Sequence, residues 1–128
     1  MKTIFTNGCF DILHRGHVEL LLFCKSIGDI VIVGINSDRS VKELKGQTRP
    51  INSQEDRKFL LESLSCIDKV VIFDEDTPIN IIKQIKPDII VKGGDYSIEE
   101  VVGNNLAKVV IFNTVGEYST TKTILENQ

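Results

Sequence analysis

The chain has only three cysteines, Cys9, Cys24 and Cys66, an odd number at wide spacing. That excludes a disulfide framework and a zinc-ribbon pattern and leaves reduced thiols as the simple reading. There is no apolar run near the roughly 18 residues a membrane span needs, and no signal-peptide core follows Met1-Lys2-Thr3. A soluble, cytoplasmic protein without a membrane partner is therefore expected. An excess of positive charge is also missing. Fifteen Lys and Arg against eighteen Asp and Glu give a net charge of −3, which lacks the overall basic footprint of a nucleic-acid binder. No linker or low-complexity stretch interrupts the chain, and 128 residues can bury roughly two thirds of their unfolded surface in one core. The expectation is a single domain over 1–128.

What is present is alternation. Short β-branched runs at Thr3 to Thr6, Ile30 to Ile35, Val70 to Phe73, Ile89 to Val91 and Val109 to Phe112 read as strands buried on both faces. Helical patterns separate them, so the fold class is α/β: a single doubly wound, Rossmann-like domain with a five-stranded parallel sheet. A first helix is expected from about His17 to Ser26, apolar on most sides. A second should run from Ser53 to about Ser65, capped by Ser53 and Asp56, with Phe59, Leu60 and Leu64 buried. A third lies between Thr77-Pro78 and Pro87, with Thr77 as its cap and Ile81, Ile82 and Ile85 as its stripe. Ser97-Ile98-Glu99-Glu100 looks like one more helix start, and Ser119-Thr120-Thr121 opens a last helix. In such sheets the ligand crevice lies beyond the carboxyl ends of the strands, where strand order reverses.

Both histidines of the chain stand at one helix start, in Gly8-Cys9-Phe10-Asp11-Ile12-Leu13-His14-Arg15-Gly16-His17. A strand that ends in a glycine turn and feeds a helix leaves unpaired N–H groups and a positive dipole end, which suit phosphate oxygens. Imidazoles there can donate to developing charge. The plainer readings are an ordinary capping histidine, or half a metal site for which no third or fourth ligand stands at a plausible spacing. Asp38, after the second strand, reads as a helix cap. The run Val41 to Pro50 gathers Lys42, Lys45 and Arg49 without core spacing. With Arg15, Arg57 and Lys92 these cations either form a solvated face or surround a polyanion. Val91-Lys92-Gly93-Gly94-Asp95-Tyr96 ends a strand in a cation, two permissive glycines, an acid and an aromatic, a turn or a ligand edge. Gly116-Glu117-Tyr118-Ser119-Thr120-Thr121 offers more hydroxyls than one cap requires.

The stretch from Gly8 to His17 resembles the first motif of the HxGH nucleotidyltransferases, and Ser119-Thr120-Thr121 resembles their last. Nearly the whole chain is similar to the cytidylyltransferase-like family. Within it, Thr6 to His17, Leu44-Lys45-Gly46, Thr48-Arg49-Pro50, Glu55-Asp56-Arg57, Asp76-Thr77-Pro78 and Lys92 to Tyr96 look most like the adenylyltransferase branch that makes ADP-heptose from heptose 1-phosphate. Glycerol-3-phosphate cytidylyltransferases carry an arginine just before the terminal Ser-Thr-Thr motif, and Asn113 to Tyr118 contains none. The resemblance implies an enzyme that joins an NMP group, from ATP, to a sugar 1-phosphate and releases pyrophosphate. It implies catalytic roles for His14, His17 and Lys45, nucleotide contacts from Gly8, Cys9, Phe10, Asp11, Gly16, Lys92, Gly93, Asp95, Glu117, Ser119, Thr120 and Thr121, and substrate contacts from Lys42, Arg49 and Arg57. Mg2+ is expected to arrive with the nucleotide, with no metal site of the protein's own. A homodimer is compatible with this reading. Heptose enzymes of this kind are often fused to a sugar kinase, and a separate kinase is expected to supply the acceptor here. The alternatives are a cytidylyltransferase for a polyol phosphate and a nucleotide-binding module without turnover.

Overall fold

The structure, a computed structural model, describes residues 1–94 and 96–113. Five strands form one parallel sheet: β1 (Thr3–Gly8), β2 (Ile30–Asn36), β3 (Lys69–Phe73), β4 (Ile89–Gly93) and β5 (Lys108–Phe112), in the order β3-β2-β1-β4-β5. Parallel neighbours need long crossovers. Among the described residues four α-helices occupy three of these crossovers: α1 (Arg15–Ile27), α2 (Asp38–Lys45) and α3 (Gln54–Glu62) together, and α4 (Ile79–Ile85), while the β4–β5 connection carries only a 3₁₀ turn. The chain walks outward from β1 to β3, then crosses back to lay β4 on the other side of β1. Thr3 pairs with Ile30 of β2, and Ile4 pairs with both Val31 of β2 and Ile89 of β4. Strand order therefore reverses between β1 and β4, which opens a crevice past Gly8 and Gly93.

Alternation along the strands builds two cores. Ile4, Val33 and Val91 pack with Leu20, Leu21 and Cys24 of α1 and Leu61 of α3 on one face. Phe5, Phe73, Ile90 and Val109 pack with Ile81 and Ile82 of α4 on the other. The α/β class and the five parallel strands are as expected from the sequence. No helix among the described residues is long and apolar enough to cross a membrane.

Several local expectations are corrected. α1 starts at Arg15, two residues early, because His14 itself is the cap. α2 was expected only as a helix start capped by Asp38, without an extent: Ser37, and not Asp38, caps it by accepting from the Ser40 N–H. On α3 the buried face is carried by Arg57 and Leu61. Phe59 is 72% exposed and Leu60 43%, while Leu64, beyond the helix end, packs only at the edge of the core. Pro78, not Thr77, occupies the cap position of α4. The segment at Ser97 forms one 3₁₀ turn, Ile98–Glu100, held by a reciprocal Ser97–Glu100 cap. The expected helix at Ser119 lies outside the described residues.

Candidate active site

The site grows from the turn after β1. Phe10 takes the left-handed region with φ of 49°, and its ring folds back over Gly8, where a Cβ would lie 3.1 Å from it. A side chain at Gly8 would press on that ring, which packs on His17 with ring centroids 4.9 Å apart. Asp11 follows, 1% exposed. Its carboxylate accepts from Arg49 Nε at 2.7 Å and from the N–H groups of Ile51 and Asn52, while Asn52 Nδ2 donates to its carbonyl. Burial pushes the Asp11 carboxyl up, but the Asn52 and Ile51 N–H groups and Arg49 outweigh this and hold it below its ordinary range. The loop before α3 is thereby strapped to the turn after β1.

Arg57 is the second strap. Its guanidinium, 1% exposed as a residue, donates to the carbonyls of Cys9 (2.8 Å), Asn36 (2.7 Å) and Asn52 (3.1 Å) and to Asp38 Oδ1 (2.9 Å). One side chain thus ties the ends of β1 and β2 to α3.

On this platform the two histidines form a reciprocal cap. His14 Nδ1 accepts from the Gly16 N–H at 3.1 Å, and His17 Nδ1 accepts from the His14 N–H at 3.3 Å. The rings stack, with centroids 3.8 Å apart and planes 17° from parallel. A nitrogen that accepts carries no proton, so each neutral imidazole keeps its proton on Nε2 as a donor. Burial, and then the neighbouring His14, push His17 down to about 4. Burial lowers His14 as well. At neutral pH the pair therefore offers two uncharged N–H donors at the first turn of α1.

Cations surround the same turn. The half-buried Cys9 thiol is pushed up by burial, against the opposing fields of Lys45, Arg57 and Arg49; its Sγ donates to Asn36 Oδ1 at 3.7 Å. Lys92 is lowered by burial and by Lys45, with Cys9 acting the other way. Its Nζ lies 5.2 Å from the centre of the Tyr96 ring. Lys42 and Lys45 occupy the last turn of α2 and are exposed. The ion pairs among the described residues engage none of Lys42, Lys45 and Lys92. Arg49 pairs with Asp11 and leaves its buried Nη2 without a hydrogen-bond partner among the described residues.

The structure thus brings Gly8, Cys9, Phe10, His14, Gly16, His17, Lys45, Arg49, Lys92 and Gly93 to one edge of the sheet. Arg57 points inward, with its N–H groups on carbonyls and on Asp38, and the Asp11 carboxylate bonds Arg49 and two backbone N–H groups, so both side chains shape the turn after β1. Asp95, Glu117, Ser119, Thr120 and Thr121 lie outside the described residues. Sequence reasoning missed Asn36 and Asn52, which complete the two straps; the bonds from Arg57 to Asn36 and Cys9 span 21 and 48 residues, beyond any local signal. Among the described residues no three His, Cys, Asp or Glu converge as a metal cage.

A glycine turn, a histidine-capped helix and converging cations stand at the reversal point of a Rossmann-like α/β sheet, a donor-rich crevice that suits anions. The chain belongs to the cytidylyltransferase-like family, whose model matches residues 5–125. It is 57% identical over 125 residues to the bifunctional protein HldE of Helicobacter pylori strain G27, covering 98% of this chain and 27% of that protein. Against the bifunctional protein HldE of a Nitratiruptor species the identity is 58% over the same shares. The chain spans about a quarter of the length of these curated relatives. Among solved structures, a lipopolysaccharide core biosynthesis protein of Thermoplasma volcanium superimposes with a TM-score of 0.74 at 27% identity, covering 93% of this chain and 99% of that one. A pantothenate synthetase of Thermus thermophilus shares the fold, with a TM-score of 0.65 at 14% identity over 91% of this chain and 57% of that one.

Proposed function

We propose that the chain is a nucleotidyltransferase that moves AMP from ATP to heptose 1-phosphate, forming ADP-heptose and pyrophosphate. The observation that carries the reaction class is the histidine pair, in which both Nδ1 atoms accept, so that each ring carries its proton on Nε2 at a phosphate-binding helix start. The sugar is supported by the identity to the HldE proteins and by the Lys92 to Tyr96 run.

An acceptor phosphate is already ionised at neutral pH, so no general base is required. Its oxygen attacks the α-phosphorus in line with the departing pyrophosphate, and charge gathers on the equatorial and leaving oxygens. His14 and His17 donate to those oxygens without carrying charge of their own. Lys45 and the partly desolvated Lys92, whose fields meet at Cys9, hold donor and acceptor phosphates together; Lys42 and the buried Nη2 of Arg49 add to the same field. The Ser119 to Thr121 hydroxyls are assigned to the β and γ phosphates, and Glu117 to the nucleotide. The donor set is N–H groups and cations, which suits phosphate oxygens and leaves magnesium to be held by the triphosphate itself, where it neutralises charge. A kinase-class reaction must supply the sugar 1-phosphate.

The test is pyrophosphate release with each of four NTPs against heptose 1-phosphate and glycerol 3-phosphate. ATP with heptose 1-phosphate should exceed every other pair by about 10²-fold or more in kcat/KM, because a pocket that bonds one base leaves groups unpaired with another. CTP turnover on glycerol 3-phosphate with none from ATP overturns the substrate assignment. Nucleotide binding without any turnover overturns the enzyme.

A further inference from the structure

Asn7 and Lys92 stand on the adjacent strands β1 and β4. By alternation they share the face that carries Phe5 and Ile90 and packs α4, opposite the face that carries α1 and its histidines. Against them opens a cavity of about 150 Å³, further lined by Tyr96, Glu100, Val101 and Val102. That volume accommodates a ligand of about one monosaccharide ring.

The chemistry of the lining is polarised. Lys92 is donor-only and partly stripped of water, and its charge interacts with Cys9 and Lys45 at the reaction edge. Glu100, which also lines the cavity, is acceptor-only: the Ser97 N–H and O–H both donate to Oε1, at 3.1 and 2.8 Å. Those bonds hold its carboxyl below the usual range and fix its orientation, leaving Oε2 to accept. The Tyr96 ring and two valines supply apolar wall for ring C–H groups, and the Asn7 amide can both donate and accept. A ligand matched to this lining is anionic at one end and rich in hydroxyls at the other.

We infer that this cavity is the acceptor subsite, in which Glu100 accepts from the hydroxyls of a sugar phosphate while Lys92 takes its phosphate at the end nearer Cys9. The inference rests on the nucleotidyltransfer reading and adds the residue that selects the acceptor. Glu100 is a specificity-determining residue, remote from the reacting phosphorus. Glycerol 3-phosphate, with only two hydroxyls, gains less from it than a sugar phosphate.

The experiment is steady-state pyrophosphate release by the full chain and by Glu100→Gln, which keeps the size and a bond to Ser97 but loses the charged acceptor. The KM for heptose 1-phosphate should rise about tenfold or more, as for a lost hydrogen bond to a charged group, with the KM for ATP unchanged. Val102→Trp, a substitution at a 38% exposed position, fills the cavity and should give the same split. A rise in the KM for ATP instead makes the cavity a nucleoside site and overturns the inference, as does no change in either constant. If the wild-type chain turns over no pair at all, the nucleotidyltransfer reading fails, and an NMR titration with heptose 1-phosphate decides the cavity separately. Shifts of the Val101 and Val102 amides that Glu100→Gln abolishes retain the subsite; their absence in the wild type removes it.

Discussion

At the scale of single residues, the histidine pair does two things with one arrangement. Its Nδ1 atoms cap α1 and its Nε2–H groups serve as donors, so protonation at Nδ1 would break the cap as well as add charge. His14→Ala and His17→Ala should each lower kcat by roughly 10²- to 10³-fold, the usual loss for one donor at a site of developing charge, while far-ultraviolet circular dichroism shows the fold retained. Near wild-type kcat in either variant would take the histidines out of the reaction. The pair also predicts a pH dependence of stability. His17 has a folded value of about 4 against an ordinary 6.5, so between those values the unfolded chain binds more protons than the folded one. The stability it contributes is complete above 6.5 and is lost as pH falls toward 4, by at most about 3 kcal/mol. Urea midpoints from about pH 7.5 to 4.5 should therefore fall in the wild type and fall less in His17→Asn; parallel curves would show that His17 titrates normally. The Asp11 carboxyl, also lowered, acts in the same direction but only below its ordinary 3.8.

At the scale of elements, the strands and the histidine turn were legible because their signals are local: continuous β-branched runs, and a glycine turn that feeds an apolar helix. All five expected strands are observed within two residues at each end. The register of α3 was not legible. Phe59, Leu60, Leu61 and Leu64 offer competing apolar stripes, and the face that wins is set by Arg57, whose carbonyl partners Cys9 and Asn36 are distant in sequence. With the guanidinium turned inward, Leu61, one helical turn on, follows it into the core, and Phe59 is left in solvent. The extent of α2 was illegible for a related reason: a cationic run gives no apolar period, and the anchors are the Ser37 cap and the buried Ser40 and Val41. The same long-range dependence hid the bonds by which Arg57 and Asp11 tie the turn after β1 to the segment at the start of α3. The register makes a sharp contrast testable. Leu61→Ala should cost about 2 to 5 kcal/mol, as for a buried leucine, whereas Phe59→Ser should stay within about 0.5 kcal/mol, both read from urea denaturation. A large loss from Phe59→Ser would put the wrong face of α3 on the sheet.

At the scale of the whole molecule, a net charge of −3 conceals a polarity along the strands. Carboxylates collect at the amino edge of the sheet, where Asp29, Asp88 and Asp68 accept from the N–H groups of Lys2, Thr3 and Val31. Cations collect at the carboxyl edge, where Lys45, Arg49, Arg57 and Lys92 act on the turn after β1. Asp11 and Asp38 offset Arg49 and Arg57, so among the described residues Lys45 and Lys92 carry the part of that field that no ion pair offsets. A polyanionic substrate should be drawn to this edge, and the attraction should weaken once salt brings the screening length down to about 10 Å near 0.1 M. The expected outcome is a kcat/KM for ATP that falls steadily from about 10 mM to about 500 mM salt. Lys45→Ala should lower the low-salt value and flatten the slope, far beyond the small effect of an ordinary surface charge. Asp29→Asn, at the opposite edge, should leave the slope unchanged. Equal slopes for wild type and Lys45→Ala would return Lys45 to the solvated surface and leave the phosphate field to Lys92.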